Sequence, residues 1–341
     1  MEIVTIKDIA KVTGFSPSTV SRVIANNSRI SEETKNKVRA AMDELGYHPN
    51  LTARNLVIQS TKTIGVIMPS SADKSLQNPF FTEVLRGIGS YFHQKQFSIL
   101  LSSGQTEQEK FEEIERMVLG KYVDGIILLY SRLNDSVVDF LKEKNFPFVM
   151  VGKPSGDKDE IVHVDNDNVK AGKDITTYLI ENGHRRISFI GGAADLVVTI
   201  YRQKSYEMAL KEADIPILKE YTIHTEFLKS GGRQAVEQIL GLELKPDAVV
   251  VSDDLISVGV ISMLEEYGLK VPEDISLVSF NNIYFSEIIK PALTTVDIQI
   301  YELGVESAKA IIQMCTNQKL SKKRIIIPHH IAYRDSVCLK K

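Results

Sequence analysis

The spacing of apolar positions changes character along the chain. Over the first fifty residues it is helical: Ile6, Ile9 and Ala10 share one face, Val20, Val23 and Ile24 a second, and Val38, Ala41, Met42 and Leu45 a third. Thr5, with Asp8 three residues on, can cap the first helix, and Gly14 suits the left-handed residue that stops it. Ser16 caps the second helix, whose first residue, Pro17, has no N–H to lose there. Ser31-Glu32-Glu33 opens the third and Gly46 ends it. From Ile64 onward, short apolar runs alternate with amphipathic stretches. Strands are predicted at 64–68, 97–101, 125–129, 148–151, 187–190, 221–224, 248–251, 276–280 and 324–328. Helices are predicted near 80–94, 106–119, 135–144, 168–182, 202–213, 230–240, 255–267 and 301–316. The alternation runs through twice and so predicts two doubly wound parallel-sheet α/β subdomains, with the natural ligand site in the cleft at their strand ends.

The organisation that follows is a three-helix headpiece at 1–48, a segment at 49–62, and a core at 63–341. Within the core one subdomain is expected at about 63–165 and 297–324, the other at about 166–296 and 325–341. Asn50 to Val57 can form two helical turns, but Leu51, Ala53, Leu56 and Val57 are too few to hold them folded in isolation, so composition alone reads the segment as a linker. On the second helix the inward turn of Val20, Val23 and Ile24 leaves Pro17, Ser18, Ser21 and Arg22 outside. Small side chains around one long cation suit a helix laid in the DNA major groove, where Arg reads guanine; a solvated helical hairpin would show the same caps.

Charge sharpens that picture slightly. The chain of 341 residues carries a formal net charge of −3, yet its first 62 residues hold nine Lys/Arg against six Asp/Glu. A mildly basic head on an acidic body fits a sequence-specific binder rather than an indiscriminate one. No run of 18 apolar residues occurs, the start MEIVTIKDIAKV has no presequence character, and Cys315 and Cys338 lack metal-ligand spacing, so a cytoplasmic protein is expected, with no cofactor, metal or membrane partner.

The chain resembles the LacI/GalR family of bacterial transcription regulators over nearly its whole length. The resemblance rests on TIKDIAKVTGFSPSTVSRVI, SEETKNKVRAAMDELGYHPN and LTARNL at the head. In the body it rests on TIGVIMP, NPFFTEVLRGI, YVDGIILL, VDNDNVKAG, ENGHRRISFIGG, SDDLISVGV and PALTTVDIQIYELG. It implies a homodimer whose headpieces read two half-sites of a palindromic operator on double-stranded DNA, and a periplasmic-binding-protein-like core that senses a sugar. By that resemblance the DNA-contacting set is Thr5, Ser16, Pro17, Ser18, Thr19, Ser21, Arg22 and Asn26. It is extended by Asn50, Ala53, Arg54 and Leu56 of a hinge helix whose leucine wedges into the minor groove. The effector set is Arg202, Asp254 and Asn281, with Lys153, Tyr130 and Phe81 as further pocket candidates. Asp253 or Asp254 is expected to serve only as a helix N-cap. Where many family members carry Tyr-Asp-Asp or Tyr-Asp-Asn, this chain has Phe280-Asn281-Asn282, as in maltose-type repressors of Gram-positive bacteria. The resemblance therefore leans toward a neutral sugar, maltose or a related glucoside.

Two other functions compete. A sugar-binding protein or enzyme on the same core is disfavoured by the lack of a phosphate-binding loop, a dinucleotide fingerprint, a nucleophile elbow and a metal-spaced His pair; His329 and His330, adjacent on a strand, point to opposite faces. A regulator controlled by a phosphorylated carrier-protein corepressor, as in the catabolite-control branch, stays open.

Overall fold

The structure, a computed structural model, describes residues 4–47, 60–156, 160–318, 320 and 322–340. It divides into two compact units, one ending at Thr61 and one beginning at Lys62.

In the first unit, α1 (Ile6–Thr13), α2 (Pro17–Ile24) and α3 (Glu32–Glu44) form the expected trio. Ile9, Val20 and Val38, one from each helix, are fully buried at its centre, with Ala10, Val23 and Ala41 closing the cluster. So few apolar side chains make a small core, and the helix ends matter correspondingly. Thr5 donates both its N–H and its hydroxyl to Asp8 Oδ2, at 2.8 and 2.6 Å. Gly14, at φ +75°, ends α1 by donating its N–H to the Ala10 carbonyl. The expected hinge helix, and with it Asn50, Ala53, Arg54 and Leu56, lies outside the described residues.

The second unit holds two six-stranded sheets. In chain order the first subdomain runs β1 (Thr63–Ile67), α4 (Ala72–Ser75), α5 (Pro79–Lys95), β2 (Ser98–Leu101), α6 (Glu107–Leu119), β3 (Gly125–Leu128), α7 (Ser136–Glu143), β4 (Phe148–Val151) and β5 (His163–Asn166). The second continues through α8 (Asn168–Glu181), β6 (Ile187–Gly191), α9 (Val197–Glu212), β7 (Thr222–His224), α10 (Lys229–Leu240), β8 (Ala248–Val251), α11 (Asp254–Glu266), β9 (Ser276–Phe280), α12 (Phe285–Ile288) and β10 (Thr294–Asp297). The chain then returns through α13 (Ile300–Cys315) and β11 (Arg324–Ile327) to the first sheet, and ends with β12 (His330–Ala332) in the second. The sheet orders are β11-β5-β4-β3-β1-β2, wholly parallel, and β12-β10-β9-β8-β6-β7, parallel except for β12. Central strands such as β3, β4 and β8 are buried at every position, as sheets covered by helices on both faces require.

Three expectations need correction. The boundary expected at 324/325 is displaced, because β11 pairs with β5, Arg324 opposite His163, and so belongs to the first subdomain; the crossing falls between Ile327 and His330. Three strands are absent from the predicted set: β5 reads His-Val-Asp-Asn, β10 Thr-Thr-Val-Asp and β12 His-Ile-Ala, none offering an apolar run. Helix α9 begins at Val197 rather than 202, since Val197-Val198-Thr199-Ile200 is β-branched throughout and reads as strand until tertiary packing overrides it.

Helices α5 and α13 pack so closely that side chains are excluded at the crossing. A Cβ on Gly87 would meet the Tyr301 carbonyl, and one on Gly304 the Val84 carbonyl. Gly304→Ala must therefore push the two backbones apart. The expected cost is about 1–3 kcal/mol, read as a lower urea midpoint for the full chain at fixed protein concentration; an unchanged midpoint would show that the helices separate freely.

Candidate nucleic-acid interface and ligand cleft

In the head, Ser16 Oγ accepts the Thr19 N–H at 3.2 Å and lies 2.8 Å from Ser18 Oγ and 2.9 Å from Thr19 Oγ1. These local bonds fix the first turn of α2. Ser16, Pro17, Ser18, Ser21 and Arg22 are exposed and Thr19 is half-buried, so the outer face is as the periodicity requires. Asn26, at φ +52°, follows the helix end and accepts a hydrogen bond from Arg39 Nη2 at 2.9 Å, which braces the turn between α2 and α3. Thr5 is exposed, but its hydroxyl is engaged in capping α1.

In the core, the strand ends of the two sheets enclose a cavity with about 790 Å³ of empty space, counting its mouth. Arg202, Asn281, Lys153, Tyr130 and Phe81 all line it.

Arg202 lies on α9 at only 4 % exposure. Its Nε donates to Asn168 Oδ1 (3.0 Å) and its Nη1 to the Ser252 carbonyl (2.6 Å), while the guanidinium sits 4.2 Å from the Phe280 ring centroid. Burial pushes its pKa down to about 10, opposed by the fields of Asp253, Asp165 and Asp254, so it remains a cation at neutral pH.

The adjacent aspartates divide differently from expectation. Asp253, not Asp254, faces the cavity. Its Oδ1 caps α11 by accepting the N–H groups of Leu255 (2.7 Å) and Ile256 (3.3 Å). Its Oδ2 accepts from Asn78 Nδ2 (2.9 Å) and Asn281 Nδ2 (2.8 Å). The N-cap and the wall residue are thus one side chain. Asp254 has turned into the sheet, where it accepts from the Ile283 N–H (3.0 Å), Ser286 Oγ (2.7 Å) and Thr295 Oγ1 (2.8 Å). Successive residues at a helix start point about 100° apart, so only one of the pair can face the cleft.

Asp165 completes the polar floor from β5. It accepts the Lys153 N–H at 3.1 Å and Asn168 Nδ2 at 2.9 Å. Burial pushes both Asp165 and Asp253 up to about 7, against the lowering effect of their hydrogen-bond donors and of Arg202. Opposite stand the rings: Phe80 and Phe81 edge to face at 5.1 Å, Tyr130, Phe227, and Tyr201 with Lys153 Nζ 5.0 Å from its centroid. Burial also raises the Tyr130 phenol, which therefore stays protonated. Ser131 Oγ, on the same wall, is buried with no hydrogen-bond partner among the described residues.

Several bonds join the two subdomains around the cavity. Besides Asn78–Asp253, Arg132 lies 2.8 Å from Asp195, Lys74 lies 2.8 Å from Glu226, and main-chain bonds run from Leu133 to Asp195 (3.0 Å) and Val197 to Ser131 (3.0 Å). These bonds hold the two subdomains against each other beside the cavity. Sequence reading did not single out Asn78, Asp165, Asn168, Tyr201 or Phe227. The first three stand inside motifs already conspicuous as strings, NPFF and VDNDNVKAG; Tyr201 and Phe227 carry no local signal. His329 and His330 diverge as expected, toward Asp174 and Asp297, each at 3.5 Å. Among the described residues no cluster of His, Cys, Asp or Glu could hold a metal ion, and no helix is long and apolar enough to cross a membrane.

A helix-turn-helix head joined to a two-subdomain α/β core, with a cavity of buried polar, aromatic and aliphatic groups at its strand ends, defines a DNA-binding regulator with a ligand-sensing body. Residues 5–50 match the bacterial regulatory proteins of the lacI family, and residues 176–337 the periplasmic binding protein-like domain. The chain is 41% identical over 335 residues to the HTH-type transcriptional regulator MalR of Streptococcus pneumoniae, covering 96% of this chain and 98% of that one. Among solved structures it resembles the lac repressor dimer bound to operator and the anti-inducer ONPF, with a TM-score of 0.87, 25% identity, and 99% and 100% of the two chains covered. It also resembles a complex of the transcriptional regulator CelR with cellobiose, with a TM-score of 0.77, 29% identity, and 98% and 99% covered. The chain belongs to the lacI family and is a DNA-binding transcriptional regulator, not an enzyme.

The raised carboxyls give the core an unusual pH response. With ordinary values of 3.8 and folded values of about 7, Asp165 and Asp253 each contribute stability that is full below about pH 3.8 and is lost as pH rises through about 7. Asp165→Asn should therefore gain in thermal midpoint relative to the unaltered protein between about pH 5 and about pH 8. A difference that stays flat over that range would show the carboxyl to be ionised throughout.

Proposed function

We propose that this regulator is a repressor that binds a palindromic operator as a homodimer and is released from it by a neutral sugar, maltose or a related glucoside, held in the cleft. The observation that carries the reading is the make-up of the cavity wall. Arg202, Lys153, Asp165, Asp253 and several buried amides are set among aromatic rings and aliphatic side chains such as Leu129, Val151, Leu196 and Ile298. Hydroxyls that both donate and accept can pair with those polar groups while the C–H face of a ring lies against Tyr201, Phe227 or Phe81. Ser131 Oγ supplies an unengaged polar atom at the same wall. Maltose is favoured among neutral sugars by the Phe280-Asn281-Asn282 motif and by the MalR relative. The cellobiose complex of CelR supports a disaccharide on this fold, and the lac repressor–operator complex supports the dimer on DNA.

On the DNA side, Arg22 is the only long donor among the outward residues of α2, and it is exposed. Arg22→Ala should cost about 1–3 kcal/mol per half-site and relax preference at one base pair, measured by selecting binding sites from random duplexes with each protein. Uniform weakening on all sequences would assign Arg22 to phosphate instead.

On the ligand side, Arg202→Ala should abolish the effect of maltose on operator binding in gel retardation while leaving sugar-free binding nearly intact. Loss of both would make Arg202 a support of the fold, and an undiminished response would place the pocket elsewhere.

A further inference from the structure

Three segments carry the chain between the two subdomains: one after β5, one after β10, and one between β11 and β12. A single buried side chain joins all three. Asn166, at the end of β5, donates from Nδ2 to the Ile298 carbonyl (3.0 Å) on the second segment and to the Ile327 carbonyl (2.9 Å) at the start of the third. Both of its amide hydrogens are thus used on the other two crossings. Gln299 adds a bond between the second and third: it sits at φ +53°, its N–H donates to Asp297 Oδ1 (2.7 Å), and its Nε2 donates to the Pro328 carbonyl (2.9 Å). The crossings are clasped to one another as well as threaded side by side.

The clasp adjoins the cavity, since Asn166 and Ile298 both line it. Hydrogen bonds also lead to it from the candidate ligand residues. Arg202 Nε donates to Asn168 Oδ1, and Asn168 Nδ2 donates to Asp165 Oδ1 at 2.9 Å and reaches the Asn166 carbonyl at 3.5 Å. A ligand that shifts Arg202 or Asp165 therefore acts on the residue that fixes how the three crossings lie. Two buried carbonyls would lose their donor if the crossings slid apart, so the arrangement resists gradual distortion.

We propose that Asn166 is the positioning residue that converts occupancy of the cleft into a change of subdomain orientation, by holding the three crossing segments as one mechanical unit. This rests on the ligand-released repressor reading for its functional readout, but the clasp can be tested without it.

The full-length protein is compared with Asn166→Ala and, as a milder change that removes one bond of the same clasp, Gln299→Ala, each checked for folding by circular dichroism. Maltose affinity is measured by calorimetry. Affinity for a duplex selected by the unaltered protein is measured with and without saturating maltose. In both folded variants the change in DNA affinity caused by saturating maltose should fall at least about fivefold, and in Gln299→Ala, whose residue does not line the cavity, both single affinities should stay within about threefold. A wild-type response in both variants overturns the proposal, as does parallel loss of both affinities in folded Gln299→Ala. The second arm uses no ligand: Lys74→Cys with Glu226→Cys places thiols across the cleft mouth, and a short bis-maleimide reports their approach, with the protein lacking the added pair as blank. Asn166→Ala should slow that cross-link at least about threefold by widening the range of orientations; an unchanged rate overturns the clasp. If maltose fails to bind even the unaltered protein, the functional reading falls and this second arm alone decides the role of Asn166.

Discussion

Arg202 is a full positive charge taken out of water where two subdomains meet, and the architecture of the core is arranged around keeping it there. An uncompensated buried cation costs several kcal/mol. Here the guanidinium is met by a carbonyl at the end of β8, an amide at the start of α8 and the face of Phe280 at the end of β9. Those three partners come from three strand ends, which fixes how the strands and the helices after them converge. The carboxyls of Asp165 and Asp253 supply counter-charge, yet neither is freely ionised, because each is as buried as the arginine. A cavity so built sets a few buried polar groups into a wall that is otherwise aromatic and aliphatic.

Asp253 carries a second constraint. Its two oxygens do different work: one caps the start of α11, and the other accepts from Asn281 of its own subdomain and Asn78 of the opposite one. Asn281 reaches it from φ +110°, a conformation that costs a non-glycine residue about 1–3 kcal/mol. Closure is therefore recorded in a hydrogen bond at the cavity wall, beside a strained residue. A ligand that took over an acceptor of Asp253 would weaken that link between the subdomains without touching the helix packing at α5 and α13.

Much of this was legible in the sequence, for physical reasons that can be named. The headpiece helices announce themselves through caps and period, because a core of six buried side chains leaves little else to hold them. Most strands buried on both faces read as apolar runs, whereas β5 and β10, at the crossings and nearly as buried, carry polar residues that bond other buried groups rather than solvent, and so hid themselves. The cavity residues show the same division. Arg202, Asn281, Lys153, Tyr130 and Phe81 meet around one space, but the choice between Asp253 and Asp254 depended on a rotation of one residue along a helix that no string of letters displays. Tyr201 and Phe227 join the site only because distant turns bring them there.

The same division bears on how a signal leaves the cavity. Residues that read clearly from sequence are those whose partners are local: caps, helix faces, strand runs. Coupling requires the opposite, side chains whose partners lie far off in the chain, such as Asn166 with Ile298 and Ile327, or Asn78 with Asp253. A ligand can shift a conformational equilibrium only by its differential affinity for the two states, so the groups that matter are those bonded differently in each. Buried amides are suited to this. An amide has definite donors and acceptors, no titration near neutral pH, and a substantial penalty for being left unpaired, so it favours discrete arrangements over graded ones.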